Sequence, residues 1–585
     1  MAGVNFLLDI TLLYLLFHLA SSQDDYSDPV VNILTGRVSG LKEDTPAGNQ
    51  FYKFLGIPYA EIPIGVLRFK DPVVKKAWSG LLNATEFPTA CIQRTYTTPV
   101  TLTGSEDCLY LNIFTPSLPK PGYTVSKSLK PVMFWIHGGG FTEADGTMDP
   151  ALLLDQDVLV VSVNYRLGPF GFLALEGNPD LAGNIGLKDQ QEALQWVNKN
   201  IMYFGGDPAK VTLFGVSAGA VSVHAHVLSP RIQNIFQGAI LQSGTVLMKY
   251  VPTLIDKEVQ KSSQKLVEKI NCNVPDVLEC LHKQDTDILM ELSENNTLAE
   301  AEEERIYWIV QDQSSPRPAL PYNPLQQLLV GNVKKVPMVL GTNKNDGGLD
   351  LTSNRWLQTN VKNALKENNS TKLRKYFGLR TMNVSEEDVK IVNVMKRFYL
   401  SEGSYDDNEK NLIEMATDSV FASPAAEVTK LHKKVAPVFP YVLNERCTDL
   451  SFSVFYGGGD KDYGVAHADD ANCIFHLFGT LTESGNMTSQ AMIRSWTNFA
   501  KFENPSPYLS SQPEWPKGEM MFFESESGIK DNKTQFKDLL SRLMLWDKLY
   551  WEPLEDKVKV LSAVQQPSIL AFLKPYNWFH THNGK

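Results

Sequence analysis

The sequence predicts an α/β fold built on a large, mostly parallel central sheet with helices on both faces. Three observations predict it: short apolar, β-branched runs recur along the chain, segments of helical periodicity fall between them, and no Pro/Ser/Gly-rich linker divides the 585 residues. Runs that are apolar throughout, rather than alternating, fit strands buried on both faces. We therefore expect one large domain over residues 23–585, behind a leader over residues 1–22.

The leader reading rests on Phe6 to Ala20, FLLDITLLYLLFHLA, an apolar run ending in the small residues Ala20-Ser21-Ser22. It resembles a secretory signal and is shorter than the ~20 residues that a membrane span needs. No later segment is long enough to cross a bilayer, so we expect a secreted, extracellular protein without a membrane anchor. Six cysteines, Cys91, Cys108, Cys272, Cys280, Cys447 and Cys473, agree with an oxidising compartment. So do candidate glycosylation sequons at Asn83, Asn295, Asn368, Asn369, Asn383, Asn486 and Asn532. A formal net charge of -11, with no Lys/Arg cluster, argues against a nucleic-acid partner.

In chain order, Val30 to Val38 and Phe51 to Ile57 read as strands of an antiparallel lead-in. Cys91 and Cys108 bracket a polar, Thr-rich loop and are expected to bond, a cross-link worth ~3 kcal/mol by chain entropy. Pro131 to Ile136 is a strand that opens into His137-Gly138-Gly139-Gly140-Phe141. Val158 to Val163 is a buried strand, and Ile185 to Ile201 places Leu187, Leu194 and Val197 at helical spacing. Val211 to Val216 is a strand, the segment from Ala218 a helix, and Ala239 to Ser243 the strand after it. Lys257 to Arg317 is charged and helical, with Cys272 and Cys280 closing a small loop. Val336 to Thr342 is a strand leading to Asn345-Asp346-Gly347-Gly348. Asn363 to Glu414 reads as exposed helices and Pro437 to Leu443 as the last core strand. A loop from Tyr456 to Ala471 follows, carrying Gly464, His467 and Asp470.

Gly215-Val216-Ser217-Ala218-Gly219 stands between a strand and a helix, the order required of a nucleophile elbow. A serine hydroxyl attacks poorly near neutral pH unless an imidazole takes its proton and a carboxylate orients that imidazole. In sheet enzymes of this design the three follow in the order serine, acid, histidine. Ser217, Asp346 and His467 obey it. Taken singly, an aspartate before two glycines is usually a turn former, and most histidines catalyse nothing. The glycine run adds a fourth element, since the amides of Gly139 and Gly140, with that of Ala218, can trap a developing oxyanion. This chemistry needs no metal and no organic cofactor, only a small-molecule ester substrate.

GVSAGA, WIHGGGF, SEDCLYLNI, FLGIPYA with RF, DQQEALQWV, AILQSG and GVAHADD together resemble the type-B carboxylesterase and cholinesterase family, from about Val30 to about Trp551. The resemblance implies an α/β-hydrolase fold and ester hydrolysis through an acyl-enzyme. It assigns Ser217 as nucleophile, His467 as base, Asp346 as acid and Gly139, Gly140 and Ala218 as oxyanion donors. It also implies disulfides Cys91–Cys108 and Cys272–Cys280, leaving Cys447 and Cys473 to pair by elimination. Arg68-Phe69, Asp189-Gln190 and the Gly464, His467, Asp470 spacing are similar to insect juvenile hormone esterases, or to a diverged duplicate of them. Two positions depart from the family pattern: Val216 stands where relatives carry Glu or Gln, and Asp346 where Glu is commoner. Cholinesterases place a tryptophan before SEDCLYLN for cation–π contact with choline, and this chain has none between Cys91 and Cys108. The competing class is a non-catalytic adhesion or binding protein on the same scaffold; such members usually lose the serine or histidine and gain an anchor.

Overall fold

The computed structural model describes residues 28–95, 101–119, 129–248, 252–294, 307–349, 355–367, 369–370, 373, 386–400, 405–454, 461–506, 515, 520–524 and 533–556. The expected leader and the sequons at Asn295, Asn368, Asn383 and Asn532 lie outside the described residues. Asn83 and Asn486 are exposed and Asn369 is half-buried.

Ten strands form the main sheet: β1 Leu41–Asp44, β2 Gln50–Pro58, β3 Tyr110–Thr115, β4 Lys130–Ile136, β5 Leu159–Val163, β6 Gly206–Val216, β7 Gly238–Gln242, β8 Met338–Asn343, β9 Val438–Leu443 and β10 Met521–Phe523. Their spatial order is β10-β9-β8-β7-β6-β4-β5-β3-β2-β1. Every pairing from β10 to β5 is parallel, and β3, β2 and β1 extend the sheet antiparallel. After β4 the chain lays β5 on one side and then returns across β4 to lay β6 on the other. Such a reversal opens a crevice beyond the carboxyl ends of the strands, where open α/β sheets bind ligands.

Strand periodicity sorts the core into two layers. Val132, Phe134 and Ile136 of β4, with Val161 of β5 and Leu213 of β6, face helices α1 (Ile185–Asn200), α2 (Ala218–Leu228) and α3 (Ser423–His432). The intervening Met133, Trp135, Val160, Phe214 and Val216 face α4 (Asp469–Phe475) and α5 (Glu483–Phe502), whose Phe475, Trp496 and Phe499 fill that side. Within the first layer the Arg166 guanidinium grips the Asp189 carboxylate by two bonds of 2.8 and 2.6 Å. Burial pushes the Asp189 carboxyl up and Arg166 pulls it back. Gln190 donates to Ser222 and also contacts His226, 2.8 Å away, on α2. The DQQ stretch thus fixes α1 beneath the elbow helix.

Cysteines 91 and 108, 272 and 280, and 447 and 473 are bonded in pairs. Arg68 joins the first two of these regions, donating to Glu106 at 2.7 Å and to the Gln284 carbonyl at 2.6 Å.

Three sequence expectations are corrected and one unanticipated strand is added. Val30 to Val38 is a hairpin of two strands, Val30–Ile33 and Gly36–Ser39, in a small separate sheet with Leu81–Asn83. Strand β3 was hidden because Asn112 interrupts its apolar run; that side chain is buried and donates to Ser162 at 3.0 Å. Pro437 to Leu443 is not the last strand, since β10 follows with only three residues. The helices between 355 and 416 are not simply exposed, because Val361, Met395 and Leu412 pack with Trp546 in a core of their own.

Candidate active site

Ser217 occupies the step from β6 to α2 at φ 57 and ψ -126, outside the ordinary basins for a residue with a Cβ. Two backbone bonds hold it there: its amide donates to the Gln242 carbonyl at 2.8 Å, and its carbonyl accepts from Val221 at 2.9 Å. The flanking glycines are demanded by the end of β4. A Cβ on Gly219 would sit 2.0 Å from the Ile136 carbonyl oxygen, and one on Gly215 2.6 Å from the same atom. Gly244 closes the wrap from the other side, where a Cβ would meet the Ser217 carbonyl at 2.3 Å.

The glycine loop after β4 lies against this elbow, with the Cβ position of Gly138 only 2.8 Å from the Val216 carbonyl and 3.1 Å from the Ser217 Cβ. Gly139 and Gly140 take φ values of 88 and 59, and the loop folds back as Thr142 and Glu143 donate to the Gly139 carbonyl. Among the described residues the Gly139 and Gly140 amides donate to no group. Ala218 is the first residue of α2, so its amide is one of the donors that a helix start leaves without an intrahelical partner. His137 anchors the loop, stacked on Tyr165 at 4.3 Å, while the Tyr165 hydroxyl donates to the His137 carbonyl. Burial pushes the His137 imidazole down to about 4, so it is neutral at physiological pH. Behind the loop, Phe141 packs edge-on to Trp308 and against Phe172.

Asp346 follows β8 and is completely buried. Its Oδ1 lies 3.0 Å from His467 Nδ1, while Oδ2 accepts from the Ser243 hydroxyl at 2.8 Å and the Asn343 amide at 2.7 Å. The His467 side chain is 4% exposed, and its Nε2 has no hydrogen-bond partner among the described residues, the Ser217 hydroxyl included. Catalytic bonds of this kind are often long before substrate binds. Serine and acid are joined through adjacent residues, since Gln242 accepts from the Ser217 amide and Ser243 donates to Asp346.

The histidine loop is zipped to the acid loop. Asn345 donates to the Val465 carbonyl at 2.9 Å and its side chain accepts from the Val465 amide at 3.1 Å. Asp469 accepts from Ala466, Ser451 and Phe452, closing the loop from below. A π-helical turn, Thr417–Ala422, completes the wall. Thr417 accepts from the Gly347 amide, and Phe421 packs on the His467 ring at 4.8 Å. Turns of this type cluster at functional sites. Ser243, Asn343, Thr417 and Phe421 were not anticipated as site residues, although Ser243, within AILQSG, and Asn343, at the head of the turn that holds Asp346, stood in stretches that the sequence marks. One acidic trio elsewhere among the described residues, Glu427, Asp547 and Glu555, surrounds the Lys430 ammonium at 3.1, 2.9 and 2.6 Å, which supplies its counter-charge.

Residues 27–540 match the carboxylesterase family. The chain is 31% identical over 519 residues to venom carboxylesterase-6 of Apis mellifera, spanning 85% of this chain and 89% of that protein. It is 33% identical over 537 residues to a juvenile hormone esterase of Tribolium castaneum, spanning 86% and 88%. The fold is similar to the crystal structure of the juvenile hormone esterase from Manduca sexta with OTFP covalently attached, with a TM-score of 0.75 and 26% identity over 90% of this chain and 100% of that one. Its α/β-hydrolase sheet and a family match over most of its length make this chain a member of the carboxylesterase family, a carboxylic ester hydrolase.

Proposed function

We propose that the protein is a secreted serine esterase of a single catalytic domain, residues 23–585, acting on apolar carboxylic esters, methyl esters of the juvenile-hormone type among them. The observation that carries this reading is the buried bond from His467 Nδ1 to Asp346, which leaves Nε2 free to act as base. Nε2 takes the Ser217 proton as the hydroxyl oxygen attacks the ester carbonyl. The amides of Gly139, Gly140 and Ala218 receive the charge that forms on the carbonyl oxygen. The imidazolium returns the proton to the departing alcohol, and water, activated by the same nitrogen, then cleaves the acyl-serine.

The rings packed behind the glycine loop, Phe141, Phe172 and Trp308, are apolar and buried, so that wall carries no charged group from them. The two similar proteins named juvenile hormone esterases support the apolar-ester reading. Secretion is supported by the leader-like run, three disulfides and exposed sequons at Asn83 and Asn486. No helix among the described residues is long and apolar enough to cross a membrane.

The test is turnover of 4-nitrophenyl and naphthyl esters beside juvenile hormone, with an organophosphate as active-site label. Hydrolysis and one label per chain on Ser217 are expected. No turnover and no label would favour a binding protein on the same scaffold.

Val216 lies opposite Gln242 in the β6–β7 register and is nearly buried among apolar neighbours. Val216→Gln places an amide beside the nucleophile, and we expect kcat or ester preference to change by about fivefold, the equivalent of ~1 kcal/mol. Identical kcat/KM values across an ester panel would show the position to be neutral.

A further inference from the structure

A second carboxylate lies in the same buried region as the first. Asp470, in the opening turn of α4, is fully buried. It accepts from the Tyr441 hydroxyl at 2.7 Å, the Ala471 amide at 2.9 Å and the Asn343 side chain at 3.4 Å. Strand register explains how Tyr441 reaches it. Val216, Gln242, Gly341 and Tyr441 form one row across β6, β7, β8 and β9. A Cβ on Gly341 would lie 2.3 Å from Tyr441 Cδ1, so the tyrosine ring leans over the space that glycine leaves. Gln242 accepts from the Ser217 amide through its backbone carbonyl and from Trp496 at 3.4 Å through its side-chain oxygen, while its Nε2 has no hydrogen-bond partner among the described residues.

Asn343 ties the two acids together. Its amide donates to Asp346, and its side chain donates to Asp470 and to the carbonyl of Ala466, next to His467. No Lys or Arg bonds either carboxylate among the described residues. Asp469, the remaining charged neighbour, is turned to Ser451, Phe452 and Ala466. Among the described residues, the His467 imidazolium is therefore the one cation placed between these two buried carboxylates.

We infer that Asp470 is a positioning residue that acts with Asp346 to stabilise the imidazolium form of His467 during ester cleavage. The inference rests on the Ser217–His467–Asp346 reading above. Burial and the Asp346 charge push the Asp470 carboxyl up, while Tyr441 and His467 pull it down. Each of its hydrogen bonds can be a donation to the carboxylate, which favours the charged form.

Asp470→Asn keeps the shape and removes the charge. The acid limb of the kcat/KM profile reports the base in the free enzyme. A lost neighbouring anion lowers the pKa of a histidine, so this limb is expected to move down by about 0.5–1 pH unit. We expect kcat at pH 7.5 to fall by roughly threefold to tenfold, with KM within about twofold. Asp470→Glu is expected to keep the native limb. An unmoved limb in Asp470→Asn, with or without a lower kcat, overturns the inference and leaves Asp470 a structural or neutral acid. If Asp470→Asn takes no organophosphate label and has no native circular dichroism, Asp470→Ser is read in the same way. Failure of both neutral variants to fold assigns the carboxylate to the fold and likewise overturns the inference. Native protein without turnover or label would remove the triad itself, and this inference with it.

Discussion

Ser217→Ala is expected to lower ester turnover by roughly a million-fold and to abolish organophosphate labelling, with only a small change in stability. The size follows from what the proposed mechanism loses: the oxygen assigned to form the acyl bond, in a site where no other described hydroxyl stands at the end of β6. The small effect on stability follows from the backbone. At φ 57 an alanine meets the same steric restriction as serine, and the bonds to Gln242 and Val221 use main-chain atoms that the substitution leaves in place. Paired measurements of kcat and thermal midpoint check both halves. Retention of more than about a hundredth of native turnover by a folded variant would move the nucleophile elsewhere.

Asp346→Asn is expected to cost about 10⁴-fold in kcat with little change in KM, and the hydrogen-bond geometry says why. Two donors, the Ser243 hydroxyl and the Asn343 amide, point at Oδ2. An asparagine must place its carbonyl oxygen there to satisfy them, which turns its NH₂ group toward His467 Nδ1. That nitrogen must then accept, so the ring carries its proton on Nε2 and cannot take one from Ser217. Asp346→Asn/Ser243→Ala frees one of these constraints and is expected to recover part of the loss. Equal kcat in Asp346→Asn and native protein would show that the carboxylate does not set the tautomer.

The parts of this site that a reader of the sequence can find are those fixed by local backbone geometry. Gly215, Ser217 and Gly219 announce themselves because a strand, a turn at positive φ and a helix must follow within a few residues, and only glycine fits beside Ile136. Gly139 and Gly140 are legible for a related reason, taking φ 88 and 59 straight after a strand, where a Cβ on Gly139 would meet the Glu143 carbonyl at 2.2 Å. Strands β4 to β9 are legible because burial on both faces makes their composition uniform. Contacts made by folding rather than by sequence proximity leave no such trace. Ser243 and Asp346 are 103 residues apart, and Asn343 meets Asp470 across 127. Phe421 reaches His467 from a π turn that has no periodic signature of its own. Strand β3 escaped for a different reason: a buried Asn112 satisfied by Ser162 reads, in one dimension, as a break.

The bond between Cys447 and Cys473 joins the segment after β9 to the helix that opens just beyond His467. Across its separation of 26 residues, closure is worth about 3.5 kcal/mol to the folded chain on the loop-entropy account. Where thiols are kept reduced, that tether is open, and the His467 loop is then held by non-covalent contacts alone: the zip to the Asp346 turn, the bonds to Asp469 and the Phe421 ring. Oxidation of this one pair is therefore expected to firm the seat of the ring proposed as proton carrier.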